Sequence, residues 1–193
     1  MKQQIVLASS SRYRKQLLKK LNIEFTSFAP HINETPKPNE PPIDLALRLA
    51  VEKAHATQHK FSNHLIIGSD QVASINTHIF GKPGNHEQTI QQLKNQSGQS
   101  VHFHTSICVL NTSTGQYHTD TDLTTVQFRA LTEKQIINYI NKEPAYNCAG
   151  GFKSEGLGIA LFEKIDTEDP NALIGLPLIK LINLLERFGH PVI

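Results

Sequence analysis

The sequence predicts an α/β fold with a mixed central sheet and flanking helices, and three observations carry that expectation. Short apolar strands alternate with amphipathic helices from residue 4 onward. Two long β-rich stretches, 101–110 and 117–129, face each other across Thr114-Gly115, and a proline-initiated amphipathic helix closes the chain. Strand–helix units call for parallel pairing and the hairpin for antiparallel pairing, so the sheet is mixed, with two lobes around a cleft as the expected arrangement. With 193 residues and neither a linker-like break nor an internal repeat, the chain reads as one unit over 1–193.

Residues 4–8 form a short buried strand, and Ser9, Ser10 and Ser11 lead into a helix over 12–21, where Tyr13, Leu17, Leu18 and Leu21 recur at helical spacing. A second strand is expected over 24–29. Pro30, Pro36, Pro38, Pro41 and Pro42 then break regular structure and mark a polar loop. Leu45, Ala46, Leu49, Ala50 and Ala54 predict a helix over 43–58 that carries Lys53. The apolar run 64–68 is expected as a strand ending at Ser69-Asp70-Gln71, followed by a hairpin over 72–80 that turns at Asn76-Thr77. A helix over 86–96 stops at Ser97-Gly98, and the long hairpin follows. Thr132 and Gln135 form a capping box before a helix over 133–142, which Pro144 ends. Cys148 to Gly151 make a glycine-bearing turn, 157–165 is expected as a strand, and 177–188 as the last helix, stopped by Gly189.

Nineteen Lys and Arg against seventeen Asp and Glu leave a net charge of +2, too small to mark a general nucleic-acid or membrane binder. The apolar run 5–8 is too short for a signal peptide, and nowhere do roughly eighteen apolar residues follow one another. Cys108 and Cys148 lack CxxC spacing and fit two free thiols in a reducing compartment, so a cytoplasmic location is expected.

Two segments suggest chemistry. Ser9, Ser10 and Ser11 with Arg12, Arg14 and Lys15 put hydroxyls, unpaired backbone N–H groups and cations at one helix start, a composition that suits a phosphate. The segment is neither a Walker A loop nor GxGxxG, and it also fits a serine-capped surface helix. Asp70 follows an apolar strand, where α/β folds gather ligands; an acid there binds metal, activates water or stabilises a turn. Glu34 in the proline loop, Lys82 between Gly81 and Pro83, and Glu155 within 152–156 are polar residues at structural transitions, each alone compatible with ordinary solvation. Lys53 has no acidic partner at helical i,i+4 spacing. His55 with His59 and His102 with His104 share faces but lack an HExxH glutamate or a third ligand, and Cys148 lacks a recognisable His partner.

Taken in order, Leu7-Ala8-Ser9-Ser10-Ser11, Arg14-Lys15, Asn33-Glu34-Thr35, Glu52-Lys53-Ala54, Gly68-Ser69-Asp70-Gln71, Gly81-Lys82-Pro83 and Phe152-Lys153-Ser154-Glu155-Gly156 resemble the motifs of the Maf family of nucleotide pyrophosphatases. The match spans nearly the whole chain. It implies a fold like that of inosine-triphosphate pyrophosphatases and release of pyrophosphate from a nucleoside triphosphate, with a divalent metal cation, Mg or Mn, as cofactor. On matching positions it implies Asp70 as proton acceptor, Glu34 and Asp70 as metal ligands, and Ser9, Arg14, Lys53 and Lys82 as phosphate-binding residues.

Tyr13, Gln71 and Glu155 match base-selective positions and look like the branch that converts 7-methyl-GTP to 7-methyl-GMP and pyrophosphate. The dTTP and UTP branch typically shows Arg, Thr and Gln there. N7-methylation makes the purine cationic, so the face of Tyr13 attracts it, while Glu155 accepts from guanine N–H groups. Arg12, Tyr13, Lys15 and Gly151 stand where proline, tryptophan, a second arginine and serine are common; the smaller ring gives less stacking area, and Lys15 lacks arginine's bidentate contact. The implied role is to keep modified nucleotides out of nucleic acids. Broad clearance of modified triphosphates, or nucleotide sensing in cell-division control without turnover, are the alternatives. The implied partner is a small-molecule nucleotide, with neither nucleic acid nor membrane, and the resemblance suggests a homodimer.

Overall fold

The computed structural model describes residues 3–193. The strand β1 (Gln4–Ala8) is followed by a short turn to Ser11, whose hydroxyl accepts from the Arg14 N–H and so caps α1 (Arg12–Lys19). The edge strand β2 (Phe25–Phe28) follows, then the proline loop and α2 (Pro42–Thr57). Next come β3 (His64–Ile75), β4 (His78–Phe80) and α3 (His86–Gln96). The long hairpin is β5 (Ser100–Asn111) and β6 (Tyr117–Phe128), after which the Thr132 and Gln135 capping box opens α4 (Glu133–Lys142). The chain finishes with β7 (Phe162–Asp166) and α5 (Leu178–Arg187).

The strands form one sheet in the order β2-β1-β3-β5-β6-β7, with β4 paired to the far end of β3. Pairing is parallel among β2, β1 and β3 and antiparallel elsewhere, as a mixed sheet requires. Strand alternation sends Ile5, Leu65 and Ile107 to one face, where α1 and α5 cover them with Leu17, Leu18, Leu181 and Leu185. Val6, Ile66 and Cys108 point to the other face, beneath Ala50 and Ala54 of α2. At the far end of the long strands a separate core gathers Phe103, Phe128, Phe152 and Phe162 with Leu93 of α3 and Ile136 and Ile140 of α4. Each fully buried Leu or Ile adds roughly 2 kcal/mol of transfer free energy, so the cores at the two ends hold the continuous strands between them as two lobes.

Three elements differ from the sequence expectation by more than a residue at an end. The first helix ends at Lys19 because the next residues tighten into three-residue turns and Asn22 takes φ 51°. Residues 157–161 wind as a 3₁₀ turn instead of a strand, with the Gly158 N–H on Glu143 Oε2 at 3.2 Å. Most consequential, β3 does not stop at Gly68: residues 65–74 pair residue by residue with β5, so Asp70 lies inside a strand. Among the described residues no helix is long and apolar enough to cross a membrane.

Candidate active site

The parallel ladder between β1 and β3 ends at Leu7 opposite Ile67, and β4 joins the same side of β3 only at Ala73. Between those points the backbone of β3 is left open toward the gap between the lobes. A cleft of about 500 Å³ lies there, lined by Asp70, Gln71 and Val72 of that stretch. Asp70 is mid-strand in β3, yet it sits just beyond the C-terminal end of β1. The strand-end expectation therefore holds for the parallel part of the sheet and fails for β3 itself.

Gly68 brings α2 to this floor. A Cβ at Gly68 would stand 2.1 Å from the Ala50 carbonyl oxygen and 2.8 Å from the Ala54 nitrogen, so only glycine admits the helix so closely. Asp70 projects to the same face two residues on, and the α2 residue beside it is Lys53. Lys53 Nζ lies 2.5 Å from Asp70 Oδ1 and 2.7 Å from Glu34 Oε1. Lys53 and Asp70 are only 6% and 8% exposed, so the Asp70 charge depends on Lys53 for compensation, while the ammonium is shared with Glu34. Burial opposes ionisation of Glu34, but the hydrogen bond and charge of Lys53, with Lys82 and Arg14, hold its carboxyl below the usual carboxylate range.

Arg14 projects from the first turn of α1 and donates from Nε to the Gly175 carbonyl at 2.8 Å. Burial lowers its pKa against the pull of Asp70 and Glu34, and its other guanidinium N–H groups remain for an anion. Ser9 is buried at the turn after β1, its Oγ accepting from the Ser11 N–H at 3.1 Å. Lys82 and Glu155 stand exposed on the rim. Tyr13 is covered by its neighbour: the Arg12 guanidinium lies 4.8 Å from the ring centroid and donates to the phenol oxygen at 2.9 Å. Burial pushes the Cys148 thiol up, which keeps it a thiol beside Tyr13 instead of an activated thiolate.

The structure thus brings the nine residues implied by the resemblance to one cleft: Asp70, Glu34 and Lys53 in mutual contact, with Ser9, Arg14, Lys82, Tyr13, Gln71 and Glu155 among the residues that line it. Lys15 does not join them. One residue along a helix is a turn of about 100°, and Lys15 lines a separate concavity with Lys19. The sequence also gave no sign of the backbone at 172–175, where Gln71 Nε2, Ser69 Oγ and Arg14 Nε find carbonyl acceptors. Those partners lie more than a hundred residues from Gln71 and Ser69, beyond any local spacing rule.

No group of three or more His, Cys, Asp or Glu among the described residues is arranged to hold a metal. His102 meets Thr125 and His55 packs on Tyr117. Glu34 and Asp70 are different, because their oxygens already converge on a single cation, the Lys53 ammonium. A magnesium-type ion is commonly bound by one or two carboxylates and completes its shell with water and substrate phosphates, so this donor pair fits such an ion with a triphosphate.

Residues 4–188 match the family model described as Maf-like protein. A curated relative from Nitrosococcus oceani, named 7-methyl-GTP pyrophosphatase, is 52% identical over 189 residues, which cover 98% of this chain and 95% of the relative. One of the same name from Aliivibrio fischeri is 50% identical over 193 residues, the whole of both chains. Among solved structures, the Staphylococcus aureus Ham1 protein gives a TM-score of 0.48 at 13% identity over 66% of this chain and 73% of its own. The nucleoside-triphosphatase / dITP/XTP pyrophosphatase of Mycobacterium abscessus gives 0.47 at 14% identity over 95% and 93%.

Proposed function

The chain belongs to the Maf-like family, and from that premise we propose that it hydrolyses 7-methyl-GTP to 7-methyl-GMP and pyrophosphate, removing a modified nucleotide before it enters nucleic acid. The names of the relatives that are about half identical over the full chain support the substrate. The observation that carries the reaction is the convergence of Asp70, Lys53 and Glu34 at the cleft floor.

Asp70 is the proton acceptor. A water held at its carboxylate attacks the α-phosphorus; its oxygen forms the new P–O bond, its proton passes to Asp70, and the bond to the bridging oxygen of the β-phosphate breaks, releasing pyrophosphate. Arg14, Lys82 and the N–H groups at the start of α1 hold phosphate oxygens. Lys53 offsets the mutual repulsion of Asp70 and Glu34, and its ammonium donates toward the phosphates as the carboxylates turn to other cations. Mg or Mn bound by Glu34, Asp70 and the phosphates would neutralise charge on the leaving group. The face of Tyr13 stacks on the cationic base, Arg12 moving aside, and Glu155 accepts from its N–H groups.

The same reading takes the chain as one functional unit, since β3, β5 and β6 run through both lobes, and places it in the cytoplasm, which two free cysteines fit. Purified protein with Mg or Mn and a panel of nucleoside triphosphates tests it. Pyrophosphate should be released fastest from 7-methyl-GTP; turnover of dTTP at an equal or higher rate sinks the base assignment.

A further inference from the structure

The Gln71 amide has two chemically opposite ends, and its surroundings decide which one meets a ligand. Nε2 directs its two N–H bonds at three acceptors, the Ala172 carbonyl at 2.9 Å, the Leu173 carbonyl at 3.0 Å and Thr105 Oγ1 at 3.0 Å, one of them shared. Carbonyl oxygens only accept, so a flipped amide would set oxygen against oxygen twice. The Thr105 hydroxyl is committed as well, donating to Ala172 O at 3.0 Å. Oε1 is therefore the atom that Gln71 offers to the cleft it lines.

Those carbonyls are held in place from outside the cleft. Asp169 is fully buried, and its Oδ1 accepts from the Asn171 backbone N–H and the Asn171 side-chain amide, each at 2.8 Å. Its Oδ2 accepts from the Ile179 N–H at 2.7 Å, in the first turn of α5, whose N-cap residue Pro177 supplies no side-chain cap. Its own carbonyl accepts from the Ala172 N–H at 2.9 Å. One carboxylate thus satisfies a donor at the α5 N-terminus, where negative charge is favoured, and ties the 169–175 segment to that helix.

We propose that Asp169 is a positioning residue that fixes Gln71 as a hydrogen-bond acceptor, so that Gln71 Oε1 and the Glu155 carboxylate together select a base presenting neighbouring N–H donors. This rests on the function proposed above and supplies the atoms that pick the base. Guanine presents N1–H beside its exocyclic N2 amine. Hypoxanthine keeps the first donor and lacks the second. Adenine sets a ring-nitrogen acceptor beside its amine and would face two acceptors with one donor.

The test is the ratio of kcat/KM for 7-methyl-GTP to that for its hypoxanthine counterpart, 7-methyl-ITP. Wild type should favour the guanine compound roughly tenfold, as one well-placed hydrogen bond allows. Asp169→Asn keeps one acceptor oxygen and loses the other, and should lower the ratio roughly fivefold, as should Gln71→Met. The double variant should fall no further than Gln71→Met alone, because Asp169 acts through that amide. Thr105→Val, which deletes the hydroxyl on Ala172 O without changing side-chain shape, should lower the same ratio and serves if Asp169→Asn does not fold. A loss equal for both substrates, or additive losses in the double variant, overturns the proposal. Pyrophosphate from both compounds at equal rates in wild type overturns it while leaving the hydrolase intact, whereas no pyrophosphate from either overturns the proposed function and this inference with it.

Discussion

Lys53 sets the electrostatics of the cleft, because an almost fully buried ammonium stands between two carboxylates. Removing one partner of a buried ion pair leaves the other charge uncompensated, at a cost of roughly 3 kcal/mol. Lys53→Met should lose about that much stability in urea unfolding, at the lower end because Glu34 is half exposed, and adding Asp70→Asn should restore most of it. Independent losses in the two variants would show that the pair is uncoupled. Asp70→Asn alone leaves Lys53 paired with Glu34, so it should fold normally and release pyrophosphate at least about 100-fold more slowly. Wild-type turnover in that variant removes Asp70 from the chemistry. Glu40 anchors the proline loop through two bonds to Arg48, at 2.6 and 2.8 Å, which, with the Lys37 N–H, pull its pKa from 4.5 to about 2. Its folded pKa is depressed, so the stability it contributes is present above pH 4.5 and lost as pH falls toward about 2. Carboxyl NMR titration should find that low midpoint, and Arg48→Ala should return it most of the way to 4.5.

At the scale of elements, legibility followed the range of the interactions. The capping box at Thr132 and Gln135 is a three-residue pattern, and α4 begins where it says. The hairpin partners β5 and β6 are adjacent in sequence and joined across Thr114-Gly115, so both were readable. Gly68-Ser69-Asp70-Gln71 has the composition of a turn, but pairing with β5 across the sheet keeps it extended. The candidate site was legible as a set of positions through the family resemblance. Its internal contacts were not, because Lys53 finds Asp70 only after α2 has packed on β3. That approach depends on Gly68. An alanine there would place Cβ against the carbonyl of Ala50, inside a hydrogen-bonded helix that cannot yield easily, so Gly68→Ala should cost about 2 kcal/mol or more in denaturant unfolding. It should also slow turnover beyond the loss of folded protein, by lifting Lys53 from Asp70. A Gly68→Ala protein with wild-type stability and rate would show that α2 is free to move outward.

For the whole molecule, the sheet must end without inviting other chains, and β6 is the place at risk. The partner strand β7 covers only its last residues, from Thr125 onward, so the outer side of residues 117–124 has no neighbouring strand among those described. An open strand edge offers backbone donors and acceptors to any extended segment. At Thr121, in the middle of that stretch, both outward groups are already taken. The Thr121 N–H donates to Asp120 Oδ1 at 2.8 Å, and the Thr121 carbonyl accepts from Lys180 Nζ at 2.8 Å, a lysine reaching across from α5. Asp120 and Glu168 lie 3.5 and 3.4 Å from the same ammonium and hold it there, and burial, which would lower its pKa, is outweighed by these two acids together with Asp122. Two charged side chains on one edge residue add the desolvation of both to any strand that docks. Replacing them with Asp120→Ala and Lys180→Met frees the N–H and C=O of Thr121 together and removes that barrier. Sedimentation velocity over a range of concentrations should then show self-association that the wild-type edge does not support, suppressed again by restoring Lys180 alone. If the double variant sediments as wild type does at every concentration, the edge is closed by its twist and by the segment around Thr167, and the two charges serve only to anchor α5.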